Sequence, residues 1–263
     1  KKMIIDFHAH IYPKKIAEKA SSAIGDFYSA NICYTGLSEE LIESGKKIGV
    51  EKYIVHSTAT KAPQVESINN FIIGEVDLHK EFIGFGTVHP EYEHFEDELK
   101  RIKNAGLKGV KLHPDFQKFQ IDTTEVDSIY EVLASLKMPV LVHAGDCRYD
   151  FSGPKRIANV LKKHPSLILI AAHFGGYTEW EQSCEFLVGK KVYFDTSSTL
   201  WKLPIAKANE MLKAHGVENF LFGSDFPMWD HEDEMSRFNK LDLSSSEREM
   251  VLYKNAMNLL SQL

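Results

Sequence analysis

The sequence predicts an α/β fold, a (β/α)8 barrel of the TIM type. Three observations carry this. Eight short, near-continuously apolar runs recur along the chain, as expected of parallel strands buried on both faces. Segments with apolar residues three and four apart, the spacing of amphipathic helices, lie between them. Side chains able to bind a metal stand at or just past the ends of several runs. In a barrel of parallel strands those ends share one rim, where residues distant in sequence meet.

The elements follow in order. Met3–Phe7 is the first run, broken only by Asp6. The stretch from Tyr12 to Ser38 is long for a strand-to-helix connection, carries Phe27 and Tyr28, and is expected to cap the barrel mouth. Helix Glu39–Ile48 ends at Gly49-Val50, where glycine takes the left-handed conformation cheaply, before the run Lys52–His56. Helix Val65–His79 leads to Phe82–Val88, and helix Phe95–Asn104 leads through Gly106-Leu107 to Gly109–Leu112. Helix Thr124–Leu136 stops before Pro139 and the run Val140–His143; helix Lys155–Lys163 stops before Pro165 and Leu167–Ala172. Helix Thr178–Leu187 precedes Val192–Asp195, and helix Ile205–Ala214 precedes Gly216-Val217 and Phe220–Phe222. One long terminal helix is expected, opened by the capping-box spacing of Ser244-Ser245-Ser246-Glu247 and striped by Met250, Val251, Met257 and Leu260. No linker, low-complexity tract or repeat interrupts the pattern, so residues 1–263 read as one barrel domain.

Composition narrows the function. A net charge of -6 and a pI near 6.1 offer no basic field for nucleic acid. No apolar run approaches the roughly 18 residues of a membrane span, and Lys1-Lys2 precede only a short apolar stretch, unlike a signal segment. Cys33, Cys147 and Cys184 are scattered and form no CxxC pair, which points to a reducing cytoplasm. The expected partner is a small molecule; a homodimer is compatible with the chain.

His8-x-His10 is the sharpest local motif, because side chains two apart on a strand point the same way and two imidazoles can converge on one cation. In isolation such a pair also occurs in turns without any ligand role. His143 and His173 end neighbouring runs and are followed by Ala144-Gly145 and Phe174-Gly175-Gly176, where backbone can approach a ligand. Asp225 ends Phe222-Gly223-Ser224-Asp225; a carboxylate there needs a charged partner or a metal, and it can take a proton from an activated water. Lys111, inside Gly109-Val110-Lys111-Leu112, faces the barrel interior with three readings open: an ammonium for a substrate carboxylate, a carbamylated bridge between two metals, or a structural ion pair. Arg148 either receives a substrate carboxylate through its bidentate fork or makes an ordinary salt bridge; Tyr12 and Trp201 are pocket walls or plain packing, and His113 lines the pocket or supports a turn. His56 and His89 also end strand-like runs and either line the pocket or support a turn. The acidic run Asp230-His231-Glu232-Asp233-Glu234 reads as a solvated helix start.

The ordered set HxH, Lys111-Leu112-His113-Pro114, His143, His173 and Gly223-Ser224-Asp225-Phe226-Pro227 resembles the amidohydrolase superfamily of metal-dependent barrel hydrolases. It is most similar to the branch containing aminocarboxymuconate-semialdehyde decarboxylase, lactone hydrolases and aromatic-acid decarboxylases. The resemblance implies that His8, His10, His143 and Asp225 bind a divalent metal, with zinc first and manganese or iron as alternatives. It implies that His173 either deprotonates the metal's water or binds a second metal, and that Asp225 and His173 are the catalytic pair. Lys111 would bridge two metals if carbamylated, as in dihydroorotase-like members; the decarboxylase branch manages with one. The reaction implied is hydrolysis of a C–N or lactone bond in a small, carboxylated substrate, with nonoxidative decarboxylation as the alternative.

Overall fold

The computed structural model describes residues 3–263; Lys1 and Lys2, part of the signal-segment reading, lie outside the described residues. The eight strands are Ile4–His10 (β1), Val50–His56 (β2), Phe82–Thr87 (β3), Gly109–Leu112 (β4), Val140–Val142 (β5), Leu169–Ala171 (β6), Tyr193–Asp195 (β7) and Phe220–Leu221 (β8). Every neighbouring pair is parallel, and the order around the sheet is the order in sequence. The last segment returns to the first: the Phe7 N–H donates to Phe222 O (2.8 Å), the Asp225 N–H to His8 O (2.8 Å), and the His10 N–H to Phe226 O (2.7 Å). The predicted (β/α)8 barrel is the observed fold.

The helices are Lys14–Tyr28 (α1), Ser38–Lys46 (α2), Val65–Leu78 (α3), Phe95–Asn104 (α4), Pro114–Gln117 (α5), Thr124–Ser135 (α6), Pro154–Lys163 (α7), Trp180–Phe186 (α8), Ile205–His215 (α9), His231–Phe238 (α10), Ser245–Glu249 (α11) and Asn255–Leu260 (α12). Alternation along the strands divides the core in two. Val110, Leu112, Val140 and Val142 belong to the large cluster that includes helix residues such as Leu99 and Ile129. Ile5, Phe7, Ile54, Phe85, Leu141, Ile170 and Leu221 form a second cluster, joined by Ala256 and Leu259 of α12, which plugs one end of the barrel. No helix among the described residues is long and apolar enough to cross a membrane.

Two expectations are corrected. The terminal helix is not uniform, because a π-helical turn, Met250–Lys254, separates α11 from α12. Such a turn widens the backbone spacing, and here the Val251 carbonyl accepts from the Phe222 N–H just past β8 (3.0 Å). Asn255 completes the joint, its side-chain amide donating to Val217 O and Phe220 O. The acidic run does start helix α10, with Glu232 and Asp233 exposed, but it is solvated only in part. Asp230 caps α10, accepting from the Glu232 N–H, but His231 and Glu234 are buried. The His231 ring lies 2.9 Å from Asp6 Oδ2 and 2.8 Å from Ser44 Oγ, so buried acceptors drew this segment inward.

Candidate metal centre

β1 delivers its histidines through a bulge. Its register against β2 slips between Asp6 and Ala9, three residues of β1 spanning the two steps from Tyr53 to Val55. A bulge re-aims side chains that a regular strand would alternate. Phe7 packs in the barrel interior, and His8, the next residue, also turns inward, to within 3.2 Å of the Lys111 amine. His10 follows on the same side, its Nε2 3.2 Å from His8 Nε2. Asp225 Oδ1 is 3.2 Å from both nitrogens. Donor atoms around one ion at ~2.1 Å stand roughly 3.0–3.4 Å apart in tetrahedral or octahedral shells. This triangle has that spacing.

The other ring nitrogens decide which way the lone pairs face. His8 Nδ1 is 2.7 Å from Asp195 Oδ2, at the end of β7. An ionised carboxylate only accepts, so Nδ1 carries the proton and Nε2 offers its lone pair to the chamber. His173 Nδ1 lies 3.1 Å from the Ser197 carbonyl, which likewise leaves His173 Nε2 as an acceptor. That nitrogen faces His143 Nδ1 at 3.0 Å, while His143 Nε2 lies 3.3 Å from Asp115 Oδ2, out of hydrogen-bond alignment. Acceptor atoms therefore gather here: His8 Nε2, His10 Nε2 and Asp225 Oδ1 stand 3.2 Å apart, the buried Lys111 amine is 3.2 Å from His8 Nε2, and His173 Nε2 accepts from His143 on the neighbouring strand end. The set is short of positive charge, and one or two cations would supply it.

Protonation agrees with this. Burial holds the His10 pKa down to about 4 and the His173 pKa to about 3, so both rings are neutral at physiological pH, the form that binds metal. Burial works upward on Asp225, but His8, His10 and His173 outweigh it and keep the carboxyl ionised well below its usual range. Burial brings Lys111 down to about 8. Three side chains of the site, His173 (φ 61°), Ser198 (φ 45°) and Asp225 (φ 58°), sit in the left-handed region. Such backbone persists only where surroundings hold it: the His173 N–H donates to Asp195 Oδ1 (3.0 Å), and the Asp225 N–H to the His8 carbonyl.

A family model described as amidohydrolase matches residues 5–261. The chain belongs to the amidohydrolase family. No curated protein matches it closely enough to count as a relative. Among solved structures it is similar to a 5-carboxyvanillate decarboxylase from Sphingomonas paucimobilis, at 12% identity over 99% of each chain with a TM-score of 0.77. It is also similar to a dihydroxybenzoic acid decarboxylase from a Polaromonas species, determined with bound manganese and 2-nitroresorcinol (15%, 99% of this chain and 97% of that one, TM-score 0.76). A third is a probable 2-pyrone-4,6-dicarboxylic acid hydrolase from Acinetobacter baumannii with citric acid bound (19%, 98% and 99%, TM-score 0.72).

Other residues of this amidohydrolase fall into place around the donors. Lys111 is fully buried, its amine 3.2 Å from His8 Nε2; Asp195 and Asp225 act on it electrostatically, without a direct ion-pair contact among the described residues. His113 lines the chamber, stacked between the rings of Phe116 (3.7 Å) and His143 (4.0 Å), with the Tyr28 hydroxyl 3.1 Å from its Nε2. Tyr12 is buried and lines a larger groove outside. Arg148 spends its fork on Asp146 (3.0 and 2.7 Å) and the Phe27 carbonyl (2.7 Å), which leaves little of it for a substrate. Trp201 is exposed at 41%, its Nε1–H donating to Ser198 O. His89 accepts from the Glu91 N–H, a turn role. His56 is buried with neither ring nitrogen bonded, its ring 4.4 Å from that of His10, and with His8 and His10 it makes another group able to hold an ion.

Asp195, Ser197 and Ser198 were not singled out from the sequence. Asp195, His8 and His173 also form a possible donor group. The Ser197 hydroxyl already fills it, 3.1 Å from His8 Nδ1, 3.0 Å from His173 Nδ1, and donating to Asp195 Oδ1 (2.6 Å). Asp195 had a readable signal, a carboxylate ending an apolar run as Asp225 does; the serines had none.

Proposed function

We propose that this chain is a metal-dependent hydrolase of a C–N or lactone bond in a small, carboxylated substrate. The observation that supports it is the triangle of His8 Nε2, His10 Nε2 and Asp225 Oδ1, 3.2 Å apart and beside the buried Lys111 amine. His8, His10 and Asp225 would hold one cation, with His143 and His173 completing its shell or, with a carbamylated Lys111, holding a second. Zinc suits this nitrogen and oxygen set, and manganese or iron also fits it. When bound, the cation supplies Lewis acidity and lowers the pKa of its water.

The protein's own groups do the rest. Asp225 Oδ2 accepts from the Ser198 hydroxyl, which accepts in turn from the Trp229 Nε1–H (2.9 Å), so the carboxylate is held with Oδ1 turned to the chamber. Oδ1 takes a proton from the attacking water and returns it to the departing nitrogen or oxygen, while the carbonyl carbon leaves as a carboxylate. His173, fixed through Nδ1, is the second proton acceptor on the opposite wall. A nonoxidative carboxy-lyase is the second reading, favoured by the similarity to two decarboxylases.

Elemental analysis of the purified chain is expected to show one or two equivalents of a transition metal, and Asp225→Asn to lose most of it. Carboxylated lactones and cyclic amides turned over in heavy-oxygen water are expected to take up one labelled oxygen. Carbon dioxide release without label uptake would favour the lyase. A metal-free, inactive wild type would sink both.

A further inference from the structure

A groove of about 750 Å3 runs between α1 and α3 outside the barrel mouth. Ile16, Ile24 and Phe27 line it from α1, and Ile68 and Phe71 from α3. Beside it, Tyr28, His143 and Asp225 line a chamber of only about 30 Å3 at the donor cluster. His10, Ile24 and Phe116 line both spaces, so the two adjoin. The chamber is the size of roughly one water. The groove falls within the ~300–1,000 Å3 typical of sites for whole small molecules. A substrate whose reacting carbon reaches the chamber must leave its remaining atoms in the groove.

The groove also has a charge preference. Among the described residues no aspartate or glutamate lines it; its charged residues there are Lys15 and Lys118, both exposed. Lys118 ends α5 in the left-handed conformation (φ 62°), which fixes where its side chain leaves the backbone. Its ammonium stands 5.8, 5.3 and 5.7 Å from the ring centroids of Phe27, Tyr149 and Phe151, and it is paired with no carboxylate among the described residues.

We propose that this groove binds the body of an elongated substrate, an aryl or alkyl chain whose outer end carries a carboxylate received by Lys118. The proposal rests on the reading that the donor cluster in the chamber is the reaction centre, and it makes Lys118 a specificity determinant rather than a catalytic residue. The apolar walls would favour the chain, the rim cation would select the charged end, and the absence of acids would leave that end unopposed.

The test titrates ω-phenyloctanoate and its neutral counterpart ω-phenyloctanol into the full chain by calorimetry, as purified and after chelator treatment. The acid is expected to bind about twofold to fivefold more tightly than the alcohol in both preparations, the range of an exposed charge contact. Lys118→Met is expected to bring the acid down to the alcohol's affinity and leave the alcohol unchanged. Ser67→Trp, on an exposed position of α3 that lines the groove, should weaken both. Equal affinities in the wild type, no binding of either probe, or an acid preference that survives Lys118→Met would overturn the proposal. A preference that disappears with the metal would also overturn it, because the anion would then be sitting at the donor cluster. If the protein proves metal-free but keeps the preference, the reaction-centre reading falls and the groove stands.

Discussion

His8 divides its two ring nitrogens between two neighbourhoods, and the division depends on one carboxylate. Asp195 Oδ2 receives Nδ1–H, while Asp195 Oδ1 accepts from the Ser197 hydroxyl and from the backbone N–H groups of His173 and Ser197. One buried acid therefore sets the tautomer of a ligand candidate and holds the left-handed turn that aims another. Burial works against its ionisation, but His8, His173 and Ser197 outweigh burial and keep its pKa below the usual range. Asp195→Asn keeps the shape and weakens the orientation. Carboxylates that orient ligand histidines are typically worth ~10–100-fold in metal affinity, so competition with a chelator should show a loss of that size with the melting transition still cooperative. Unchanged affinity would mean that His8 needs no orienting group or binds no metal.

Further from the chamber, β3 is tied to two helices by a polar chain. The Thr87 N–H donates to Asn69 Oδ1 (2.7 Å), the Asn69 amide donates to Glu98 Oε1 (2.7 Å), and Arg101 grips both oxygens of Glu98. Thr87 passes the link to β4 by donating to the Lys111 carbonyl (3.2 Å). Burial pushes the Glu98 pKa up, but the bonds from Arg101 and Asn69 push it further down, and the net shift is downward. With a depressed folded pKa, the unfolded chain binds more protons in acid. Glu98 thus contributes stability above the unfolded value of about 4.3 and loses it as pH falls through the folded one. Glu98→Gln should lower the urea midpoint at neutral pH, and the gap to wild type should close toward pH ~3; parallel pH profiles would refute the link. Much of this scale was readable in the chain: β4 and α4 fall where glycine and helical spacing put them, and the long Tyr12–Ser38 stretch holds α1, whose Ile24 and Tyr28 line the chamber. Strand ends were less so. Leu167 and Ala172 are apolar beyond the ladder of β6, and β1 runs on to His10 because its last polar residues face a site rather than solvent. The bulge in β1 leaves no mark in residue type, and Ser197 and Ser198 act through contacts made only once β7 and β8 lie side by side.

Closure of the ring is a property of the whole chain, and it depends on a group with no role in the donor cluster. Backbone bonds between β1 and the segment after β8 join residues more than two hundred positions apart, and β8 itself has only two residues. The fully buried Asp6 carboxylate reinforces that seam. Oδ1 accepts from the His8 and Ser224 N–H groups (3.0 Å each), and Oδ2 accepts from the Ser224 hydroxyl (2.5 Å) and lies 2.9 Å from His231 Nε2 on α10. Asp6→Ala would leave these buried donors without an acceptor, and removing one member of such a network costs about 3–5 kcal/mol. Asp6→Asn keeps one acceptor oxygen and should cost less. Urea unfolding measures the loss, and amide exchange locates it: the N–H groups of Phe7, His10 and Asp225, which cross the seam, should exchange faster in Asp6→Ala, while those of β4 and β5 on the far wall should change only as much as global stability does. A loss below about 0.5 kcal/mol, within the range of an ordinary surface change, or uniform acceleration around the barrel, would show that the strand backbones close the ring without this carboxylate.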